Sequence, residues 1–148
     1  EFAAELVRKG AKLKEICRIA LRKKSKAHCE LEEIIYDRLE FLEDGKIAFA
    51  YLNLEDYENT HAEMGDDEGL VEMLRDIEDV EVAVLLKEKE GANGYKASLR
   101  SHETVNVSDI CMLLGGGGHR GAAGCFINGT LDQAKTKIIN AVKQGLKK

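Results

Sequence analysis

Apolar residues recur at helical spacing near the start of the chain, where Leu6, Leu13, Ile16, Cys17, Ile19, Ala20 and Leu21 predict a helix over 2–24. Gly10 divides that helix into two pieces. Leu31, Ile34, Ile35, Leu39 and Leu42 carry on a helical face, at least at first. Asp44-Gly45 then stands between Leu39–Leu42 and Ile47–Leu52, the signal of a β-hairpin. A short helix is expected near Leu54–Asn59, and a second near Asp67–Ile77 with Asp66 or Asp67 as its N-cap. Val80–Leu86 is a β-branched run of the kind that forms a buried strand. Asn93-Gly94 marks a tight turn into Tyr95–Arg100, whose alternation sets Lys96, Ser98 and Arg100 on one face. Val107–Leu114 reads as a helix capped by Asn106 or Ser108, and Gly124–Asn128 as a last strand. Thr130–Leu146 closes the chain as a helix with Leu131, Ala134, Ile138, Ile139 and Val142 on its apolar side.

Helices and strands thus alternate through residues 38–148, which predicts an α/β fold with about five strands flanked by helices. The hairpin makes the sheet mixed rather than purely parallel. Residues 1–29 are too basic to form the core of that domain and read as a helical arm, leaving 30–148 as the domain itself. Because the chain begins at Glu1 rather than Met, it is expected to be a piece of something longer.

Composition narrows the functional classes. With 148 residues, 44% hydrophobic and 33% charged, a globular protein with a real core is expected. No Trp and only 5% aromatics leave few side chains for stacking on bases. No apolar run approaches the ~20 residues of a membrane span, and no signal-peptide pattern opens the chain. Four cysteines without CxxC spacing read as reduced thiols in a cytoplasmic protein, with Cys111 and Cys125 as small buried hydrophobes. The net charge of −5 conceals a partition. Residues 1–29 carry nine Lys/Arg against three Asp/Glu, residues 30–91 five against twenty-one, and residues 92–148 eight against three. The positive last third is where an anion is favoured; the acidic middle is a solvated face.

That last third contains the sharpest motif, Gly115-Gly116-Gly117-Gly118-His119-Arg120-Gly121-Ala122-Ala123-Gly124. Four successive glycines cost roughly 0.5–1 kcal/mol each relative to Ala in regular structure. Such a cost suits backbone that must approach a ligand closely and present consecutive N–H groups to an anion. The small residues that follow are spaced like a helical turn, whose N-terminus would point at the same anion. Gly116-x-Gly118-x-x-Gly121 formally satisfies a dinucleotide fingerprint, but it follows a helix rather than a strand, and Asp132 is too near to serve the ribose. A Walker loop is excluded because no Gly-Lys-Ser/Thr follows. His28, His61, His102 and His119 form no metal-ligand spacing, and no nucleophile motif is present, so neither a metal site nor catalytic residues are assigned to this chain.

Gly-Gly-Gly-Gly-His-x-x-Ala-Ala-Gly at 115–124 resembles the signature of the DHH-associated C-terminal domain of DHH-type phosphoesterases. Lys96-Ala-Ser98-Leu-Arg100-Ser101 resembles the family's strand before the loop, and Asp67-Glu-Gly69-Leu-Val with Val80-Glu-Val-Ala-Val its helix–strand step. Leu42-Glu-Asp-Gly45-Lys-Ile-Ala is similar to its opening hairpin, so the resemblance covers residues 30–147. The segment 1–29 is similar to the linker from a catalytic domain. Among the branches, the chain looks most like the nanoRNase/pAp phosphatase one, which trims very short RNA and dephosphorylates 3′-phosphoadenosine-5′-phosphate (pAp). The alternatives are a cyclic-dinucleotide phosphodiesterase and a non-catalytic nucleic-acid-binding module such as a tRNA-contacting domain.

The resemblance implies an Asp-His-His catalytic domain, absent from this sequence, holding two Mn²⁺ ions that activate water. On that reading the chain alone is not an enzyme. It would bind phosphate through Gly115, Gly116, Gly117, Gly118, His119 and Arg100, with Ser98 and Ser101 as secondary donors and Lys96 supplying field. Its partners would be a short oligonucleotide or nucleotide phosphate and its own catalytic domain, with no membrane; a homodimer of the parent stays open.

Overall fold

The computed structural model describes residues 24–147, together with residues 4, 5, 8–10, 12 and 15. The helix expected over 2–24, and most of the arm to which it was assigned, lies outside the described residues.

In the continuous stretch from residue 24, helix α1 (Lys26–Arg38) comes first, started by Ser25, whose hydroxyl accepts from the His28 amide. Strand β1 (Glu40–Leu42) and strand β2 (Ile47–Leu52) form the hairpin expected around Asp44-Gly45. Helices α2 (Leu54–Thr60) and α3 (Leu70–Arg75) carry the chain across to strand β3 (Val82–Glu88), which lies parallel to β2. This crossover is what a parallel neighbour requires. Strand β4 (Gly94–Ser101) returns antiparallel. The turn falls at Glu90-Gly91, closed by the Ala92 amide on the Lys89 carbonyl, and Gly94 of the expected Asn93-Gly94 turn is the first residue of the strand. Helix α4 (Val107–Met112), strand β5 (Gly117–His119), strand β6 (Ala122–Asn128) and helix α5 (Leu131–Leu146) complete the order.

The strands make one sheet in the order β1-β2-β3-β4-β6-β5. It is mixed, as expected, but has six strands. The additional one, β5, lies inside the glycine run. Glycine is depleted in strands, so composition hides a strand there. The turn Arg120-Gly121 then leads directly into β6, which replaces the helical turn expected after the glycines.

Two cores sandwich the sheet. On one face, Ile47, Phe49, Val82, Val84, Leu86, Tyr95, Ala97, Leu99, Ala123, Cys125 and Ile127 pack against α4 and α5 through Ile110, Cys111, Ile138 and Val142. On the other, Ala48, Ala50, Leu52, Ala83 and Leu85 pack against α1 and α3 through Leu31, Ile35, Leu70 and Leu74. The second core stops at β3. No helix of the described chain covers that face over β6 and β5.

Local chemistry fixes the covering helices. Arg38 makes a paired bridge to Asp56, at 2.6 and 2.9 Å, and donates to the Tyr51 carbonyl. Asp56 in turn accepts from the Asn53 amide at the start of α2. The hydrogen bonds that Arg38 donates to Asp56 raise its guanidinium above its usual range. At α3 the N-cap is Gly69, in the left-handed region at φ 81°, instead of Asp66 or Asp67. Asp67 is drawn to a stronger partner: its carboxylate accepts from Tyr57 Oη at 2.9 Å and Lys87 Nζ at 3.2 Å. Asp66 caps the Glu63 amide and takes the Ser25 hydroxyl. No described helix is long and apolar enough to cross a membrane.

Candidate functional site

Register places the candidate residues in rows across the uncovered face. In the first row Ala83, Arg100, Ala122 and His119 are Cα partners from β3 to β5. In the second, Leu85, Ser98, Gly124 and Gly117 align; in the third, Lys87, Lys96 and Phe126. Successive rows are two residues apart along the strands, about 7 Å. The middle row has no side chain over β6 or β5, because Gly124 and Gly117 stand there. A Cβ on Gly117 would meet nothing within 4 Å, so that glycine leaves open space on the face.

The four loop glycines do different work. Gly115, at φ 81°, reverses the chain after α4. Its amide donates to Met112 O, and that of Gly116 to Cys111 O, the paired bonds of a glycine-terminated helix end. These two amides are therefore engaged inside the protein. Gly116 also packs where no side chain fits, since a Cβ there would come within 2.1 Å of the Gly124 carbonyl. Gly117 and Gly118 belong to β5, and the Gly118 carbonyl accepts from Ser108 Oγ at 3.1 Å.

Arg100 is half-buried and held from one side. Its Nε donates to Glu72 Oε1 on α3 at 2.8 Å, and Nη1 donates to Leu99 O. Nη2 makes no hydrogen bond among the described residues. Burial alone would raise the Glu72 carboxyl, but the Arg100 hydrogen bond and charge hold it below the usual range. Ser98 is buried at 8% exposure, yet its hydroxyl has no partner among the described residues. With Lys96 and Arg100 it lines a cleft of about 400 Å³ walled by Asp67, Glu72 and Lys87. His119 is exposed at the sheet edge, about two strand spacings, or ~10 Å, from Arg100 at the backbone.

Ser101 and Arg120 stand apart from this group. Ser101 alternates to the other face, and its hydroxyl donates to Val105 O at 2.6 Å and accepts from the Glu103 amide. Arg120 donates from Nε to the Glu103 carbonyl and lines a separate cavity of about 610 Å³ between α4 and the C-terminal turns of α5. Cys111 and Cys125 are buried beneath the loop. The neighbouring Cys125 sulfur and burial push the Cys111 thiol up, which keeps it a neutral packing group.

Among the described residues, no three His, Cys, Asp or Glu side chains converge to hold a metal ion. The Mn²⁺ ions that the family resemblance implies are expected in a catalytic domain outside this chain, so these residues are not expected to hold them. Asp66 and Asp67, which have the right chemistry in sequence, are committed to Ser25, Glu63, Tyr57 and Lys87.

The DHHA1 domain family model matches residues 44–148, most of the chain and all of β2 to β6. This chain belongs to the DHHA1 domain family. Over 146 residues it is 35% identical to the bifunctional oligoribonuclease and PAP phosphatase NrnA of Thermus thermophilus, covering 97% of this chain and 42% of that protein. This agrees with the nanoRNase/pAp phosphatase branch that the chain resembles in its short linker and opening hairpin. An exopolyphosphatase-related protein from Bacteroides fragilis superposes with a TM-score of 0.84 at 25% identity, over 95% of this chain and 41% of that one. A pGpG-specific phosphodiesterase from Vibrio cholerae shares the fold, with a TM-score of 0.62 and 15% identity over 96% of this chain and half of that one. The chain thus spans half or less of each of these relatives.

Two residues beside these candidates are missed by motif reading alone. Glu72 sits on α3, far from Arg100 in sequence, and only the tertiary fold pairs them. Phe126 is exposed on the same face as Lys96. The signal for it was present: in Gly124–Asn128, alternation sets Phe126 with Gly124, opposite the buried Cys125 and Ile127.

Proposed function

We propose that this DHHA1 domain holds the phosphate or terminal nucleotide of a short oligonucleotide, or of pAp, on its open sheet face. Hydrolysis would be carried out by a Mn²⁺ centre in a catalytic domain outside this chain, to which residues 1–29 would connect. The observation that carries this reading is the placement of Arg100, Ser98 and His119 around the side-chain-free row Gly124–Gly117. An anion lying on that row meets no Cβ on β6 or β5. It has the uncommitted Nη2 of Arg100 and the Ser98 hydroxyl on one side and the His119 imidazole on the other. Arg suits the task because its planar fork matches phosphate oxygens, and charge-assisted bonds are about twice as strong as neutral ones. The name of the Thermus thermophilus relative, an oligoribonuclease and PAP phosphatase, supports the substrate class.

Within this scheme Glu72 orients Arg100 rather than touching substrate. Engaging Nε fixes the plane of the guanidinium, so that Nη2 is presented without a further loss of side-chain freedom. Lys96, exposed in the next row, adds positive field.

Titration of the chain with inorganic phosphate and with pAp, followed by NMR, tests the proposal. Shifts should centre on Gly117, Gly124, His119 and Arg100, and Arg100→Ala and His119→Ala should each weaken pAp binding about tenfold. Wild-type affinity in both variants would overturn it. Salt dependence separates a small site from a long RNA track: one or two phosphate contacts give a shallow slope, whereas many give a steep one.

A further inference from the structure

Phe126 is exposed on this face, and its surroundings give it a definite posture. The ring tip lies on the β4 backbone where Gly94 has no side chain: a Cβ there would come within 2.6 Å of the Phe126 ring. Lys89 Nζ stands over the ring, 5.7 Å from its centroid. Lys96 is the ring's Cα partner across the strand pair. Among the described residues, neither lysine has a carboxylate partner. The three residues, with Gly117 and Gly124, line a shallow cavity of about 460 Å³ that contains no acidic side chain. This contrasts with the adjoining cleft at Arg100, where Asp67 and Glu72 balance the cations.

A lone exposed Phe is ordinary on a protein surface. This one sits one row, about 7 Å, from the glycine row proposed for phosphate. It is pre-laid against backbone and flanked by two unpaired cations. A flat aromatic ring beside a phosphate floor in a positive field matches what a nucleotide offers, a planar base joined to an anion. The long, flexible Lys89 side chain can swing from over the ring to meet the phosphate, which frees the ring face for the base.

We infer that Phe126, Lys89 and Lys96 form a nucleobase subsite, in which a base of the bound oligonucleotide stacks on Phe126 while the two lysines face its phosphate. The inference rests on the phosphate reading above and extends it: the open face distinguishes a nucleotide chain from a bare phosphate, and does so by stacking, without reading base identity.

Three probes are titrated against this chain by calorimetry: inorganic phosphate, a 5′-phosphorylated diadenylate, and an analogue of the same length and charge with both bases removed. Wild type should bind the diadenylate about tenfold more tightly than the abasic analogue. Phe126→Leu keeps an apolar side chain over Gly94 but removes the ring face, and should abolish that ratio while leaving the affinity for inorganic phosphate and the melting temperature unchanged. Phe126→Trp should preserve or enlarge the ratio. Should Phe126→Leu melt early, Phe126→Tyr, which restores the ring, must restore the base preference. An undiminished ratio in Phe126→Leu, or no base preference in wild type, overturns the inference. Failure of inorganic phosphate to bind, with a Phe126-dependent base preference intact, would sink the phosphate reading and leave the stacking subsite standing.

Discussion

Strand β4 shows two faces of one sheet under opposite demands. Tyr95, Ala97 and Leu99 are buried against α4 and α5, while Lys96 and Arg100, their immediate neighbours in sequence, look onto the open face beside Ser98. β6 repeats the arrangement with Ala123, Cys125 and Ile127 inward and Ala122, Gly124 and Phe126 outward. The inward set does apolar work that tolerates no gap. The outward set is kept thin, with glycine and alanine where a ligand would lie and cations at its margins. A period of two residues therefore lets a single strand carry core and site together. The stability of one face is what allows the other to stay bare.

The sharpest way to break this comparison is at Leu99, fully buried on the inward face. Leu99→Ala should cost about 2–5 kcal/mol in urea unfolding, far more than any truncation at Lys96 one strand face away. The next test sets two adjacent glycines against each other. Gly116→Ala places a methyl within 2.1 Å of the Gly124 carbonyl and should destabilise by about 1–3 kcal/mol. Gly117→Ala, with open space around it, should stay within about 0.5 kcal/mol of wild type in the same unfolding experiment. It should nonetheless weaken pAp binding, because its methyl rises into the phosphate row. If Gly117→Ala binds pAp as wild type does, the open face is bare for some other reason.

A pH-dependent effect concerns the wall of the cleft. Burial raises the Asp67 carboxyl, but the Lys87 charge and the hydrogen bonds from Tyr57 and Lys87 outweigh it and hold the group below its usual range. Burial and the same Asp67 charge push the Tyr57 hydroxyl up, so it remains a donor. A carboxyl depressed in the folded state stabilises above its unfolded value, near 4, and the contribution fades as pH falls through the folded value. Asp67→Asn should therefore lose about 1 kcal/mol at pH 7, and the gap to wild type should close as pH drops below about 4. A gap that persists unchanged in acid would assign the loss to packing instead of charge.

Periodicity alone revealed most of the architecture, because long apolar patterns report burial directly. The hairpin at Asp44-Gly45, the strands read at Val80–Leu86 and Tyr95–Arg100 and found at Val82–Glu88 and Gly94–Ser101, and the helix opened by Thr130 all follow from spacing and turn chemistry. β5 was invisible, since its pairing is set by β6 and its residues, Gly117, Gly118 and His119, carry no strand preference. Asp67 misled as a cap because a lysine 20 residues away outbids the helix amides for its carboxylate. For the site, alternation placed Lys96, Ser98 and Arg100 together. The glycine run, read as one continuous anion cradle, divides instead into a helix terminator, a packing point and an edge strand. Glu72 belongs to the site only through tertiary contact, which no local pattern encodes.

That edge strand has a consequence for how the molecule behaves in a crowd. An unpaired edge is a template on which another chain can add a strand, and a face kept open for a ligand cannot be shielded by a covering helix. Both margins of this sheet are only three residues long, Glu40–Leu42 at one end and Gly117–His119 at the other. At the first, Glu40 is tied to Lys135; at the second, the Gly118 carbonyl is already taken by Ser108. Short, partly satisfied margins offer a passing strand too little to grip, so the sheet can leave its binding face uncovered without becoming a seed for aggregation.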